Sequence, residues 1–154
     1  MNVATAEVLS FQERYIRSSP GLTDPFRINT YDIDGVIWLP QPYQGLKPDI
    51  HDIIITGRSI DEAPETFEFL ESRQIFNEVY FNPIPFNCKT RESSAYHKAG
   101  VIRALLQEGY KVGIHFEDDP LQAEIIRYRV PEIVVVEIRH NLVELENVRR
   151  PNVH

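Results

Sequence analysis

Five short runs of apolar and β-branched residues punctuate this chain, and four of them are separated by stretches with helical spacing. They are residues 28–33 (INTYDI), 52–56 (DIIIT), 78–81 (EVYF), 111–117 (KVGIHFE) and 133–138 (IVVVEI). Several are almost continuously apolar instead of alternating with polar residues. A strand reads that way when both its faces are buried. Helical patterns occupy the gaps. Residues 61–74 place Ala63, Phe67 and Leu70 on one face, with Pro64 tolerable only in a first turn. Residues 94–109 carry Ala95, Ala99, Ile102 and Leu106 and stop at Gly109, and residues 120–129 open on Pro120. Residues 3–17 form a further candidate helix within an N-terminal extension of residues 1–26, and residues 140–149 are ambiguous. The expectation is one α/β domain over residues 1–154, a Rossmann-like three-layer fold with a mainly parallel sheet of five strands.

Composition narrows the function classes. The formal charge of −7, from 23 acidic and 16 basic residues, argues against a domain whose main task is coating nucleic acid. It does not exclude an enzyme acting on a nucleic-acid end. A single cysteine, Cys88, rules out a disulfide framework or a multi-cysteine zinc site within one chain. No apolar run approaches the roughly 20 residues that cross a bilayer. The start MNVATAEVLSFQERYIR lacks the basic-then-apolar pattern of a signal peptide. No membrane partner and a cytoplasmic location are the expectations.

In parallel α/β sheets ligands gather beyond the carboxyl ends of the strands. Those ends carry polar chemistry here. The first run leads into Asp32-Ile33-Asp34-Gly35-Val36, the second into Thr56-Gly57-Arg58, and the fourth into Glu117-Asp118-Asp119. Lys98 lies in the long helical pattern between the third and fourth runs. Each has an ordinary reading as well: an Asp-Gly turn, a capping threonine, a solvated lysine, a helix N-cap at Asp119 before Pro120.

Taken together, DxDGV, a strand ending in Thr, a Lys, and a strand ending in paired acids, in that order from Asp32 to Asp119, resemble the haloacid dehalogenase superfamily. The segment ITGRSIDEAPETFEFL also resembles, over that short stretch only, the phosphatase branch of the polynucleotide kinase-phosphatases. The resemblance implies a Mg²⁺-dependent phosphomonoester hydrolase working through an aspartyl-phosphate. It implies Asp32 as nucleophile and Asp34 as acid and base. Thr56, Gly57 and Lys98 would serve as phosphate-binding groups, and Arg58 would either hold a substrate phosphate or pair with a nearby acid. Asp32, the Asp34 carbonyl and Asp118 would hold Mg²⁺, with Asp119 assisting through water. Receiver domains use similar residues, but their acidic pair lies on the first strand, whereas here it comes last.

The segments from Asp32 to Thr56 and from Thr56 to Lys98 are too short to hold a cap domain, so an open site is expected. Trp38 and Tyr43 could form a small flap or pack. An open site suits a phosphorylated substrate such as a nucleotide, a nucleic-acid end or a phosphoprotein, and equally a homo-oligomer in which a neighbour closes it. The sequence leaves these open. The alternative function is a non-catalytic phosphate- or nucleic-acid-binding module on the same fold. His51, His97 and His115 form no recognised ligand spacing, and His97 adjoins Lys98.

Overall fold

The computed structural model describes residues 24–140. The candidate helix at 3–17, most of the N-terminal extension and nearly all of the ambiguous stretch at 140–149 lie outside them. Five strands form one sheet: β1 (Arg27–Tyr31), β2 (Ile53–Ser59), β3 (Val79–Asn82), β4 (Lys111–Glu117) and β5 (Val134–Glu137). Their order is β3-β2-β1-β4-β5 and every pairing is parallel. Three helices connect them: α1 (Ala63–Ser72), α2 (Arg91–Gln107) and α3 (Pro120–Arg129). The chain is an α/β protein of the Rossmann-like, three-layer kind, and among the described residues no further domain interrupts it.

The apolar runs sit where both faces of the sheet are covered. Ile28, Ile53 and Ile55 face a cluster with Ala99 and Ile102 of α2 and Ala123 and Ile126 of α3. Ile54, one residue out of phase, faces the other side, with Tyr31, Ile33, Val36 and Leu70 of α1. Successive strand residues point to opposite faces, so a run of three isoleucines serves both layers. Every residue of β2 is buried.

Local signals set the helix limits. Pro64 falls in the first turn of α1. At the other end Gln74 takes a left-handed conformation (φ 58°), and the Ile75 N–H donates to the Leu70 carbonyl. The second helix starts at Arg91, before the expected residue 94, because Thr90 and Ser93 cap it reciprocally. Gly109 ends it at φ 100°. For α3, Asp119 is the N-cap and Pro120 the first residue. One inward residue differs from expectation. Phe67 is 43% exposed, with its ring against Phe81, and Thr66 is buried instead. Thr66 is drawn inward because its hydroxyl donates to the Glu62 carbonyl and accepts from Arg58.

Two register shifts shape the carboxyl ends and the middle of the sheet. Between β2 and β3 the partners run from Ile55↔Tyr80 to Ser59↔Asn82, so β2 carries extra residues over Thr56-Gly57-Arg58. Bulges of this kind re-aim side chains at the end of a strand. Between β1 and β4 the shift lies between Ile28 and Thr30, and the Asn29 side chain accepts the Ile114 N–H there.

The burial pattern predicts a contrast. Ile55→Ala, on a fully buried strand, should lower the free energy of unfolding by about 2–5 kcal/mol. Tyr128→Ala, at a position 84% exposed, should change it by less than about 0.5 kcal/mol. Urea titration of both variants measures the difference.

Candidate functional site

The chain runs from β1 outward to β2 and β3, then returns to β4 on the other side of β1. The carboxyl ends of β1 and β4 therefore flank the point where the strand order reverses, the place where open parallel sheets hold ligands. Asp32 follows β1 directly, and its N–H still donates to the Phe116 carbonyl of β4 at 3.1 Å. Glu117 ends β4 and Asp118 follows it. One carboxylate oxygen from each of Asp32, Glu117 and Asp118 lies within 4.8 Å of the others. All three residues are buried.

Into this cluster α2 delivers Lys98, only 1% exposed. Its ammonium donates to Glu117 Oε1 at 2.8 Å and Gln122 Oε1 at 2.7 Å, and lies 3.1 Å from Asp32 Oδ2. Two of its three protons thus have hydrogen-bond acceptors, and the Asp32 carboxylate adds an ion pair. The reading of Lys98 as a solvated helix residue is excluded. Burial opposes its charge, but Asp32 and Glu117 outweigh burial and push its pKa up. Asp32 is itself pushed well above the usual carboxylate range, first by burial and then by the Glu117 charge, with Lys98 opposing.

A second layer supports Glu117. His115, two residues back on the same face of β4, donates from Nε2 to Glu117 Oε1 (3.3 Å). Its Nδ1 lies 2.8 Å from the Thr30 hydroxyl. Burial, then the charge of Lys98, lowers the His115 pKa to about 3, so the ring is neutral. With Nε2–H given to the carboxylate, Nδ1 accepts from Thr30.

Asp34 and Arg58 form the other half of the site. Arg58 Nε and Nη2 donate to the two Asp34 oxygens at 2.9 and 2.8 Å, and Nη1 donates to the Thr66 hydroxyl at 3.1 Å. Such a two-pronged pair is geometrically specific. Thr56 is fully buried and accepts the Arg58 N–H at 3.0 Å. Gly35 has φ 79°, and a Cβ there would fall 1.9 Å from Asp118 Oδ2. Glycine is thus required twice over: for the turn after Ile33 and for the approach of Asp118.

Asp32, Lys98 and Asp118 therefore come together as the sequence suggested, and Glu117 lies with them as a third carboxylate. Asp119 caps α3, accepting from Leu121 N–H and from both prongs of Arg91, and it adjoins the cluster: its N–H donates to Glu117 Oε2 at 3.3 Å and its Oδ2 accepts from Gln122 Nε2 at 3.3 Å. Glu117, His115, Thr30 and Gln122 were not picked out by sequence reasoning. The signal was there in the period of β4: His115 and Glu117 are two residues apart and share a face with the incoming lysine. His97 is partly buried, with Nε2 lacking a hydrogen-bond partner and a pKa lowered by burial to about 4. His140 Nε2 lies 3.8 Å from Asp118 Oδ2. His51 is at the opposite end of the sheet. Trp38 packs against the α1-side core, and Tyr43 is exposed. Cys88 is exposed in a short turn.

Three oxygen donors around one ammonium suit a hard divalent cation, which would relieve their mutual repulsion. Two hollows lined by described residues, about 380 and 340 Å³, lie at the amino ends of the strands, around Ile28, Asp52 and Phe76. The carboxyl end is favoured as the site because the charged groups converge there. No helix among the described residues is long and apolar enough to cross a membrane. No protein-family model, curated protein or solved structure matches the chain.

Asp32 has a folded pKa above its unfolded value, so without metal the folded state binds the extra proton. Stability in chelator should be fully present below the unfolded carboxylate pKa and fall as pH rises through the folded one. Asp32→Asn should flatten that fall and raise the neutral-pH melting temperature in chelator. Melting curves between pH 4 and 8, with and without a divalent cation, test this; a lower melting temperature for the variant in chelator at neutral pH would contradict it.

Proposed function

We propose that this chain is a Mg²⁺-dependent phosphomonoester hydrolase of the haloacid dehalogenase type, using Asp32 as a covalent nucleophile. The observation that carries the reading is the buried meeting of Asp32 with Lys98, Glu117 and Asp118 at the switch point of the sheet. A solely structural ion pair would need one carboxylate for one ammonium. Here several acids crowd one base, which is what a cation-assisted reaction on a phosphate requires.

Asp32 and Asp118, with Glu117 beside them, are the residues that would hold Mg²⁺, whose charge when bound would offset that of the phosphoryl group. An Asp32 oxygen forms a bond to phosphorus while the ester P–O bond breaks, and the leaving oxygen takes a proton from Asp34. Water then attacks the aspartyl-phosphate, gives a proton to Asp34, and releases inorganic phosphate and the Asp32 carboxylate. Lys98 offsets the charge of the Asp32 carboxylate 3.1 Å away and is itself held in place by hydrogen bonds to Glu117 and Gln122. Thr56 and Gly57 offer neutral donors to phosphoryl oxygens.

Arg58 fits two moments of this sequence. Bound to Asp34, it favours the carboxylate, the form that accepts a proton from water. An incoming phosphoryl group competes for the same guanidinium. As Arg58 is drawn toward it, its hold on the Asp34 carboxylate weakens, which favours uptake of a proton from solvent for the leaving group.

Asp32→Asn should abolish hydrolysis of every phosphomonoester and form no phospho-enzyme. Asp34→Asn should lose about 10²–10⁴-fold with poor leaving groups, less with nitrophenyl phosphate, and accumulate a phosphorylated protein. Intact mass after brief exposure to an activated phosphoryl donor distinguishes the two. Excess chelator should stop turnover and Mg²⁺ restore it. A phosphoryl group on the Asp32 variant, or full activity in chelator, would overturn the reading.

A further inference from the structure

A second buried ammonium stands next to the site and takes no part in the proposed chemistry. The Lys89 side chain is fully buried. It donates to Glu62 Oε2 at 2.7 Å and to the Gly57 carbonyl at 3.2 Å, and its Nζ lies 5.2 Å from the Phe86 ring centroid. Glu62 Oε2 also accepts the Ser59 N–H at 2.8 Å. One ion pair thus grips the main chain on both sides of Arg58, within the bulged part of β2.

The peptide between Gly57 and Arg58 is then held at both ends. Its carbonyl accepts from Lys89, and its N–H donates to Thr56 Oγ1 at 3.0 Å. In a planar trans peptide those two groups point in opposite directions, so fixing one fixes the other. A threonine hydroxyl that accepts a bond at its oxygen still has one proton to donate. The Arg58 N–H therefore determines where the Thr56 proton is free to point.

We propose that Lys89, paired with Glu62, is a positioning residue for phosphate recognition: by holding the Gly57 carbonyl it orients the Gly57–Arg58 peptide and so aims the Thr56 hydroxyl at a phosphoryl oxygen. The inference rests on the phosphatase reading and adds a residue to it. A buried charge pair is an expensive way merely to fasten a turn, since apolar residues of similar size often stabilise as well or better. Its retention here is explained by the carbonyl it holds. A donor placed a fraction of an ångström away loses much of its worth to a phosphoryl group.

The test is a graded series assayed on nitrophenyl phosphate with Mg²⁺, with inorganic phosphate as inhibitor. Lys89→Arg keeps the charge opposite Glu62 but replaces a compact ammonium with a planar fork, which shifts the Gly57 carbonyl. The double variant Lys89→Met with Glu62→Gln removes the charge pair without leaving either charge alone. KM and the phosphate inhibition constant should rise together, about threefold for the first and about tenfold or more for the second. The Mg²⁺ concentration giving half-maximal activity should stay unchanged in both. A merely structural role would lower the melting temperature and leave both constants where they were, and that result overturns the inference. If the double variant does not fold, wild-type constants in the folded Lys89→Arg protein overturn it alone. Absence of Mg²⁺-dependent hydrolysis by the wild-type chain would overturn the phosphatase reading and this inference with it, whereas wild-type turnover with insensitive variants would remove only the role of Lys89.

Discussion

Everything at the carboxyl end of the sheet is arranged around the buried ammonium of Lys98. Removing a charged amine from water costs several kcal/mol, and a protein carries that cost only where opposite charge and hydrogen-bond acceptors surround it. Lys98 finds Asp32, Glu117 and Gln122, which come from the end of β1, the end of β4 and the first turn of α3. One side chain of α2 therefore ties the two strands at the switch point to the helix that follows. His115 and Thr30 extend the same constraint into the sheet: His115 shares the Glu117 oxygen that Lys98 holds, and the Thr30 hydroxyl holds His115.

The same logic of satisfied charge recurs across the bulge of β2. Arg58 answers Asp34, and Lys89 answers Glu62. Neither cation is on the surface, and each is bonded to a carboxylate and to a second oxygen: the Thr66 hydroxyl for Arg58 and the Gly57 carbonyl for Lys89. The bulge gives the Thr56–Arg58 segment its shape, and these two pairs keep it.

The parallel sheet was legible because Ile53, Ile54 and Ile55 have no plausible place except a strand covered on both sides. Asp32 and Asp118 were legible because the motif order puts them at strand ends. What was not legible depended on angles between elements. Lys98 was legible from its place in the motif order, but its burial was not: on a helical wheel it looks like any other lysine, and only the packing of α2 over β1 and β4 covers it. Glu117 and Asp118 are adjacent in sequence, yet their oxygens converge because the chain leaves the strand between them. The cap role of Asp119 was legible from its place before Pro120, whereas its pairing with Arg91 depended on how α2 and α3 pack. Phe67 follows the helical period of its neighbours, but Arg58 and the Glu62 carbonyl claimed the inward place for Thr66.

The imidazole of His115 sits inside this arrangement with no exposed surface, its Nε2 proton held by Glu117 and its Nδ1 by a threonine hydroxyl. Such a proton leaves for solvent only when this layer opens, whether α2 lifts from the sheet or β1 and β4 part beside Asp32 and Asp118. Its residence time is therefore a clock for the breathing of that layer. A proton that lingers there for minutes or hours reports a floor that stays rigid beneath whatever ligand arrives above it, and a fleeting one reports a layer that opens locally while the rest of the fold stays closed.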